Sequence, residues 1–406
     1  ILSANDKSIL IYNLEDGSIL TLDKAKGLSD YGVSAISYDL SSNTFVIAYD
    51  NSNIDLLKGN TLINLPDIKN KLTAGSKTVN NIYCKEGIAY LSTDFGVVAL
   101  DLINEEVDNT YVIGSSGDQT IVLDCTVSQD TIYALTAGGM KKAYLEIANL
   151  LDYSQWDHSF SALTGVTAIE MYDDRLYALA NNLYVRENGN WLEVTNAAGR
   201  TFSNLTGSDY LSFVSDDIDV LRYESGILDT LDTGFLIDPT YSIGYQGNKY
   251  FGDNKFGLFQ GNQSISTSSS PFTNEGFRAI SVGDKILISS GGFNKNLDGN
   301  GNVEGGFYEF ENNQWVNHNI YSSIGTSAPS RDLNRMAFNS FDGKLYVAMF
   351  NGLIEFDFNS VQIYNTTNSP IDSAIGNTFF QKTSGVGVDS EGSVWVCLLY
   401  TSPSPR

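Results

Sequence analysis

The chain has 406 residues, 42% hydrophobic and 12% aromatic, so it can bury a large core as two domains or as one large all-β domain. Acidic residues outnumber basic ones 48 to 24, and the net charge of −24 removes the basic footprint that nucleic acids and anionic membranes require. Three cysteines make no disulfide framework, and no run of ~18 apolar residues offers a transmembrane segment.

Residues 1–13 read as the later strands of a repeat whose first strand is missing, and from there one unit recurs. A polar turn closing on Asn, Asp or Gly leads into a short strand with an aromatic or β-branched residue. The residues after these turns are Thr44, Ile88, Thr131, Arg175, Ile218, Lys249, Lys285, Lys344 and Ser393, and the first four intervals are 43 or 44 residues. A second turn, such as Asp94-Phe95-Gly96 or Asn351-Gly352, then opens a third apolar run, such as 97–100 or 353–356. Asx and Gly residues between such runs are hairpin signals because they tolerate positive φ. Repeats of this length made only of short strands predict the four-stranded blades of a β-propeller.

Ten units exceed the ~4 to 8 blades of one ring, so the expected fold is all-β, with tandem β-propellers and the second one truncated. The uneven intervals place the changeover between about residues 220 and 330, giving a first propeller over 1–290 and part of a second over 291–396. Helical periodicity is confined to Lys141–Leu151, KKAYLEIANLL, enough for about three turns between blades. Residues 397–406, CLLYTSPSPR, break the strand pattern and read as translated sequencing adapter, with a Ser/Pro linker as the alternative.

Signals of chemistry are sparse. His158 and His318 lack neighbours at metal-ligand spacing, which argues against a zinc site or a Ser-His-Asp triad. Cys84 and Cys125 lie in apolar strand patterns and read as small buried residues. The pairs Asp173-Asp174 and Asp216-Asp217 fall where other units carry turn residues, so they read as turns. Asn294, Asn296, Asp298, Asn300 and Asn302, with Gly299 sixth, follow the first half of a calcium loop. Position twelve is Gly305 where that loop needs a bidentate Glu, so a polar hairpin tip is the competing reading and no cofactor is expected otherwise. Lys58, Lys69, Lys71 and Lys77 gather in the polar stretch 48–82 and could hold an anionic group; solvated surface charges are the blander reading.

That stretch, AYDNSNIDLLKGNTLINLPDIKNKLTAGSKTVNNI, with GLSD at 27–30, VSAISYD at 33–39, YLSTDFGVVALDL at 90–102 and YVIG at 111–114, resembles the N-terminal propeller region of the PorZ family of type IX secretion components. The resemblance is strongest over residues 1–160 and continues more loosely to Val396. It implies two propellers and a C-terminal β-sandwich in the whole protein, a location at the cell surface or outer membrane, and no catalysis. It further implies delivery of anionic lipopolysaccharide to a partner sortase within an attachment complex. A second resemblance, of GVGVDSEGSVWV at 385–396 to the propeller repeat of two-component regulators, supports an alternative, the periplasmic ligand-sensing propeller of a hybrid regulator. A propeller lyase or glycosidase is disfavoured by the shortage of His and Arg.

Overall fold

The computed structural model describes residues 1–398 apart from 6, 72–74, 147–148, 161–162, 195–200, 216–218, 232, 267–270, 274, 294–300, 313, 320–330 and 373–381. Among these residues, antiparallel strands follow one another in ten sheets, over 2–23, 33–65, 79–111, 122–144, 168–193, 202–230, 239–266, 276–318, 336–364 and 383–398. Seven sheets have four strands, the first and fourth have three, and the tenth has two. In each, sequence neighbours pair, so every sheet is a meander, as propeller blades are.

Local sequence explains the meander. Second strands such as Thr44–Tyr49 and Ile88–Thr93 are almost wholly buried, and their near-continuous apolar runs match strands covered on both faces. The first hairpin of a sheet turns on residues at positive φ: Glu86-Gly87, Asp173-Asp174 and Gln246-Gly247 all lie there. The carboxylates of Asp173 and Asp174 are therefore turn residues, while 216–218 lie outside the described residues.

The core is strung between successive sheets. Val46, Leu56, Leu91 and Val98 join the second and third sheets, and Val97, Ile113, Cys125 and Trp156 join the third and fourth. Leu135 with Leu176, Leu179 with Phe213, and Val214 with Phe251 continue the series to the seventh. Ile9 with Tyr49 joins the first to the second. Further on, Phe307 with Leu345 and Tyr346 with Val386 do the same for the eighth to tenth sheets.

The chain divides into two compact units, Ile1–Thr267 and Ser268–Arg406. The first contains seven sheets and closes into a ring. Tyr12 Oη of the first sheet donates to Gln260 Oε1 of the seventh at 3.4 Å. Tyr241 of the seventh sheet feels the charges of Glu170 and Asp124, and Tyr83 of the third feels Glu170, so inner strands of non-adjacent sheets face one another around an axis. The division at 290/291 drawn from sequence falls between the paired strands Lys285–Ser290 and Phe307–Glu311, inside the eighth sheet.

Two sequence expectations are corrected. The described residues of Lys141–Leu151 form no helix: Gly139–Tyr144 is the third strand of the fourth sheet, with Lys141 opposite Ala134. Lys141 Nζ donates to Ile113 O at 2.5 Å, so the long lysine stem reaches a buried carbonyl while Met140 and Lys142 share the opposite face of the strand. The repeat anchor expected at Ile218 lies outside the described residues, and the second strand of the sixth sheet is Leu211–Ser215. Beyond Val396, strand Val394–Leu398 continues with Cys397 opposite Gly385, and residues 399–406 lie outside the described residues.

Candidate functional site

The four lysines singled out by sequence lie in the first unit. Lys77 Nζ donates to the carbonyls of Ile68, Lys69 and Lys71 at 3.1, 2.6 and 2.9 Å, which caps the end of the short helix Asp67–Asn70. Lys69 reaches Asp30 at 2.8 Å. Burial works to raise the Asp30 carboxyl, but hydrogen bonds from Lys69, Asn51 and Asn53 outweigh it and hold the group well below the usual range. Lys71 Nζ meets Thr110 Oγ1 at 3.4 Å, and Lys58 pairs with Glu105 at 2.7 Å. Lys69, Lys71 and Lys77 are thus brought together around one helix, and Lys58 is engaged by the third sheet.

Of the calcium-loop residues, Asn294, Asn296, Asp298 and Asn300 lie outside the described residues. Asn302 is held through its backbone, whose N–H donates to Asp332 Oδ2 at 3.0 Å. Among the described residues no cluster of three or more His, Cys, Asp or Glu side chains is placed to hold a metal ion.

At the axis of the first ring, Asp124 is 5% exposed. Asn81 Nδ2 donates to its Oδ1 at 2.6 Å and Ile169 N to its Oδ2 at 2.8 Å. Burial nevertheless dominates and pushes its carboxyl up to about 7. Glu170 keeps some accessible surface but lies deep in the ring, and burial together with the nearby Asp124 charge raises its carboxyl well above the usual range. Burial thus favours the neutral form of both carboxyls, and the Asp124 charge adds to that effect on Glu170.

A different site opens in the second unit. A cleft of about 720 Å³ is walled by Phe277, Phe293 and Trp395 and carries Arg278 and Arg335. The two arginines fall at one register of adjacent sheets, Arg278 in strand Gly276–Val282 and Arg335 just before strand Met336–Asn339. Arg278 lies opposite Ser289, and the Arg335 carbonyl accepts from Ala348 N at 2.9 Å; Ser289 and Ala348 are each the fifth residue counted from Lys285 and Lys344. In the next sheet that position is Gly385, opposite Cys397, so no third side chain fills it. The Arg278 guanidinium stands 5.4 Å from the Phe277 ring centre, the Phe277 and Phe293 rings meet at 6.2 Å and 71°, and Trp395 is 68% exposed. Among the described residues neither guanidinium has an ion-pair partner. An adjoining recess shares Phe293 and Ser384 and adds Lys382, 5.5 Å from the Phe350 ring centre. Asp332 also lines it, its carboxylate accepting from the backbone N–H groups of Asn302 and Val303 at 3.0 Å each.

Sequence reasoning passed over these arginines because they stand 57 residues apart. Each precedes an anchor lysine, Arg278 by seven residues and Arg335 by nine, and the longer turn between Asn339 and Lys344 hides their common register in the sequence.

The family model of the type IX secretion system PorZ N-terminal β-propeller domain matches residues 1–157. The chain is PorZ-like over that stretch. The whole chain superposes on the structure of PorZ from Porphyromonas gingivalis, described as an essential bacterial surface component of the type IX secretion system, with a TM-score of 0.76 and 20% identity. This likeness to PorZ covers 98% of the chain and 54% of PorZ, so the chain spans about half of that protein's length. It shows the shared tandem-propeller fold. The extracellular domain of BT4673 from B. thetaiotaomicron gives a TM-score of 0.44 at 11% identity, covering 97% of the chain and 58% of that domain. No curated protein matches the chain in sequence. No helix among the described residues is long and apolar enough to cross a membrane.

Proposed function

We propose that the chain belongs to a non-catalytic scaffold of type IX secretion at the bacterial cell surface. It binds anionic lipopolysaccharide, delivers it to a partner sortase and docks with the outer-membrane proteins of the attachment complex. The match of residues 1–157 to the PorZ N-terminal propeller domain carries this reading. The chemistry of the chain is consistent with it: Arg278 and Arg335, which have no ion-pair partner among the described residues, and the aromatic rings near them suit an anionic group better than a cation. A binding role also agrees with the axis of the first ring, where protein donors take both oxygens of Asp124.

The test is genetic and biochemical together. Deleting the gene in its source bacterium is expected to leave secreted cargo without attached lipopolysaccharide, and the purified protein is expected to be retained by immobilised lipopolysaccharide. Normal cargo modification in the deletion strain would sink the reading.

A further inference from the structure

We propose that the small recess lined by Gly292, Asp332 and Asn334 binds a single oxygen-seeking metal cation, Ca²⁺ or Na⁺, through the Asp332 carboxylate and the Asn334 side-chain oxygen. The site lies within the second unit, where the eighth, ninth and tenth sheets meet, and it is independent of the function proposed above.

Its two side-chain ligands are deeply buried and incompletely used. Asp332 is 1% exposed, and its carboxylate accepts from the backbone N–H groups of Asn302 and Val303 at 3.0 Å each. A carboxylate can accept about four hydrogen bonds, and a buried one needs a counter-charge as well. Among the described residues no basic side chain forms an ion pair with it: Arg331 beside it pairs with Glu304, and Lys382 stands 5.5 Å from the Phe350 ring centre. Asn334 is 3% exposed, and its Nδ2 donates to Thr383 O at 2.8 Å. That carbonyl can only accept, so the NH₂ end of the amide is fixed there. Oδ1 is left at the other end, buried and without a hydrogen-bond partner.

Size and chemistry narrow the occupant. The recess holds about 10 Å³, close to the ~10–15 Å³ that one water-sized sphere takes. A water would give Asn334 Oδ1 a donor but leave the Asp332 charge uncompensated; a cation does both. A backbone oxygen stands on the same side of the carboxylate. A Cβ built on Gly301 would lie 3.1 Å from Asp332 Oδ1 and 3.9 Å from Gly292 O, so the missing side chain leaves that approach open. Carboxylate, amide and peptide oxygens are the ligand types of Ca²⁺, which completes its shell with water. Only one of these ligands is acidic, so the affinity belongs at the weak end, ~0.1–1 mM. Lys382, the basic side chain that lines the recess, opposes the ion and lowers the affinity further.

The experiment uses the full chain, treated with chelator and exchanged into choline chloride, with CaCl₂, MgCl₂ and NaCl as probes. Calorimetry is expected to find one CaCl₂ site, and about 10 mM CaCl₂ to raise Tm by at least ~2 °C. MgCl₂ should act less, because Mg²⁺ demands near-octahedral geometry. A shift with NaCl in place of CaCl₂ supports the same site with a monovalent occupant. A chain of net charge −24 attracts divalent ions over its whole surface, so variants decide. Asp332→Asn and Asn334→Ala should each weaken binding at least tenfold. Should either fail to fold, Gly301→Ala sets a methyl group against Asp332 Oδ1 and should abolish the shift while leaving Tm in chelator nearly unchanged. Lys382→Met should tighten binding several-fold. No cation-dependent shift in the wild-type protein, as expected of an ordered water alone, would overturn the proposal. So would a full shift retained in Asp332→Asn or Gly301→Ala, or weaker binding in Lys382→Met.

Discussion

Asp124 sits where water cannot solvate its charge, and its hydrogen bonds from Asn81 and Ile169 offset only part of that cost. Its carboxyl rises from 3.8 to about 7 in the folded chain, so between those values the folded state holds a proton that the unfolded state has released. Stability therefore falls as pH rises through that window and levels off above it. Glu170 acts in the same sense. Asp30, held low by its partners, acts in the opposite sense and loses its contribution in acid below about pH 4. The ceiling for Asp124 is about 4 kcal/mol, at ~1.36 kcal/mol per pH unit. Asp124→Asn is accordingly expected to raise Tm by several degrees at pH 8 and to flatten the Tm profile between pH 4 and 7. A profile that falls as steeply in the variant would assign the slope to another group.

Two sheets of this chain, the third and the ninth, each depend on one glycine that opens the third strand. Gly96 and Gly352 lie at φ +146° and +130°, and a Cβ on either would stand 2.1 Å from a fourth-strand carbonyl, that of Tyr111 or Tyr364. Gly139 holds the equivalent place in the fourth sheet, at φ +117°, but a Cβ there would meet nothing. Among the described residues the fourth sheet has no fourth strand to collide with; a single bridge between Lys142 and Asp157 stands in its place. Gly96→Ala and Gly352→Ala should each cost about 2–3 kcal/mol, and Gly139→Ala only about 1 kcal/mol from backbone strain. Denaturant titration of the three proteins checks the ranking, and equal costs would show that φ alone decides.

Elements of this kind were legible because turn chemistry is local. Thr44, Ile88, Thr131, Arg175, Lys285 and Lys344 each open a second strand, and Lys249 and Ser393 lie within one residue of doing so. The sixth sheet was misread because Asp216-Asp217 imitates a first turn, whereas its first hairpin turns on Ser208-Asp209-Tyr210. With Leu211 in place, the steps from Arg175 through Leu211 and Asn248 to Lys285 are even, at 36 or 37 residues. The helix expected over Lys141–Leu151 failed for a related reason. Good helix formers carry weak preferences, and pairing to Thr131–Thr136 overrides them. The cleft was not legible at all, since Arg278 and Arg335 meet only through the register of separate sheets.

Across the whole molecule, seven sheets in chain order close one ring within residues 1–267. A chain of residues 1–267 is expected to unfold in one cooperative transition. A chain of 24–267, which lacks the first sheet, should lose that cooperativity because Ile47, Tyr49 and Leu57 lose their cover. Calorimetry of the two pieces decides, and identical transitions would mean that the first sheet is not part of the ring. Closure also sets a timetable. Tyr12 and Gln260 are 248 residues apart, so at ~5–20 residues per second the first sheet exists for roughly 12–50 s before its partner is synthesised. Through that interval Tyr12, on the strand face opposite Ile9 and Ile11, has nothing on the closing side, and the unpaired strands are open to neighbouring chains. The first sheet is thus made well before its ring partner and secured last, and it is there that a holding chaperone has the most to do.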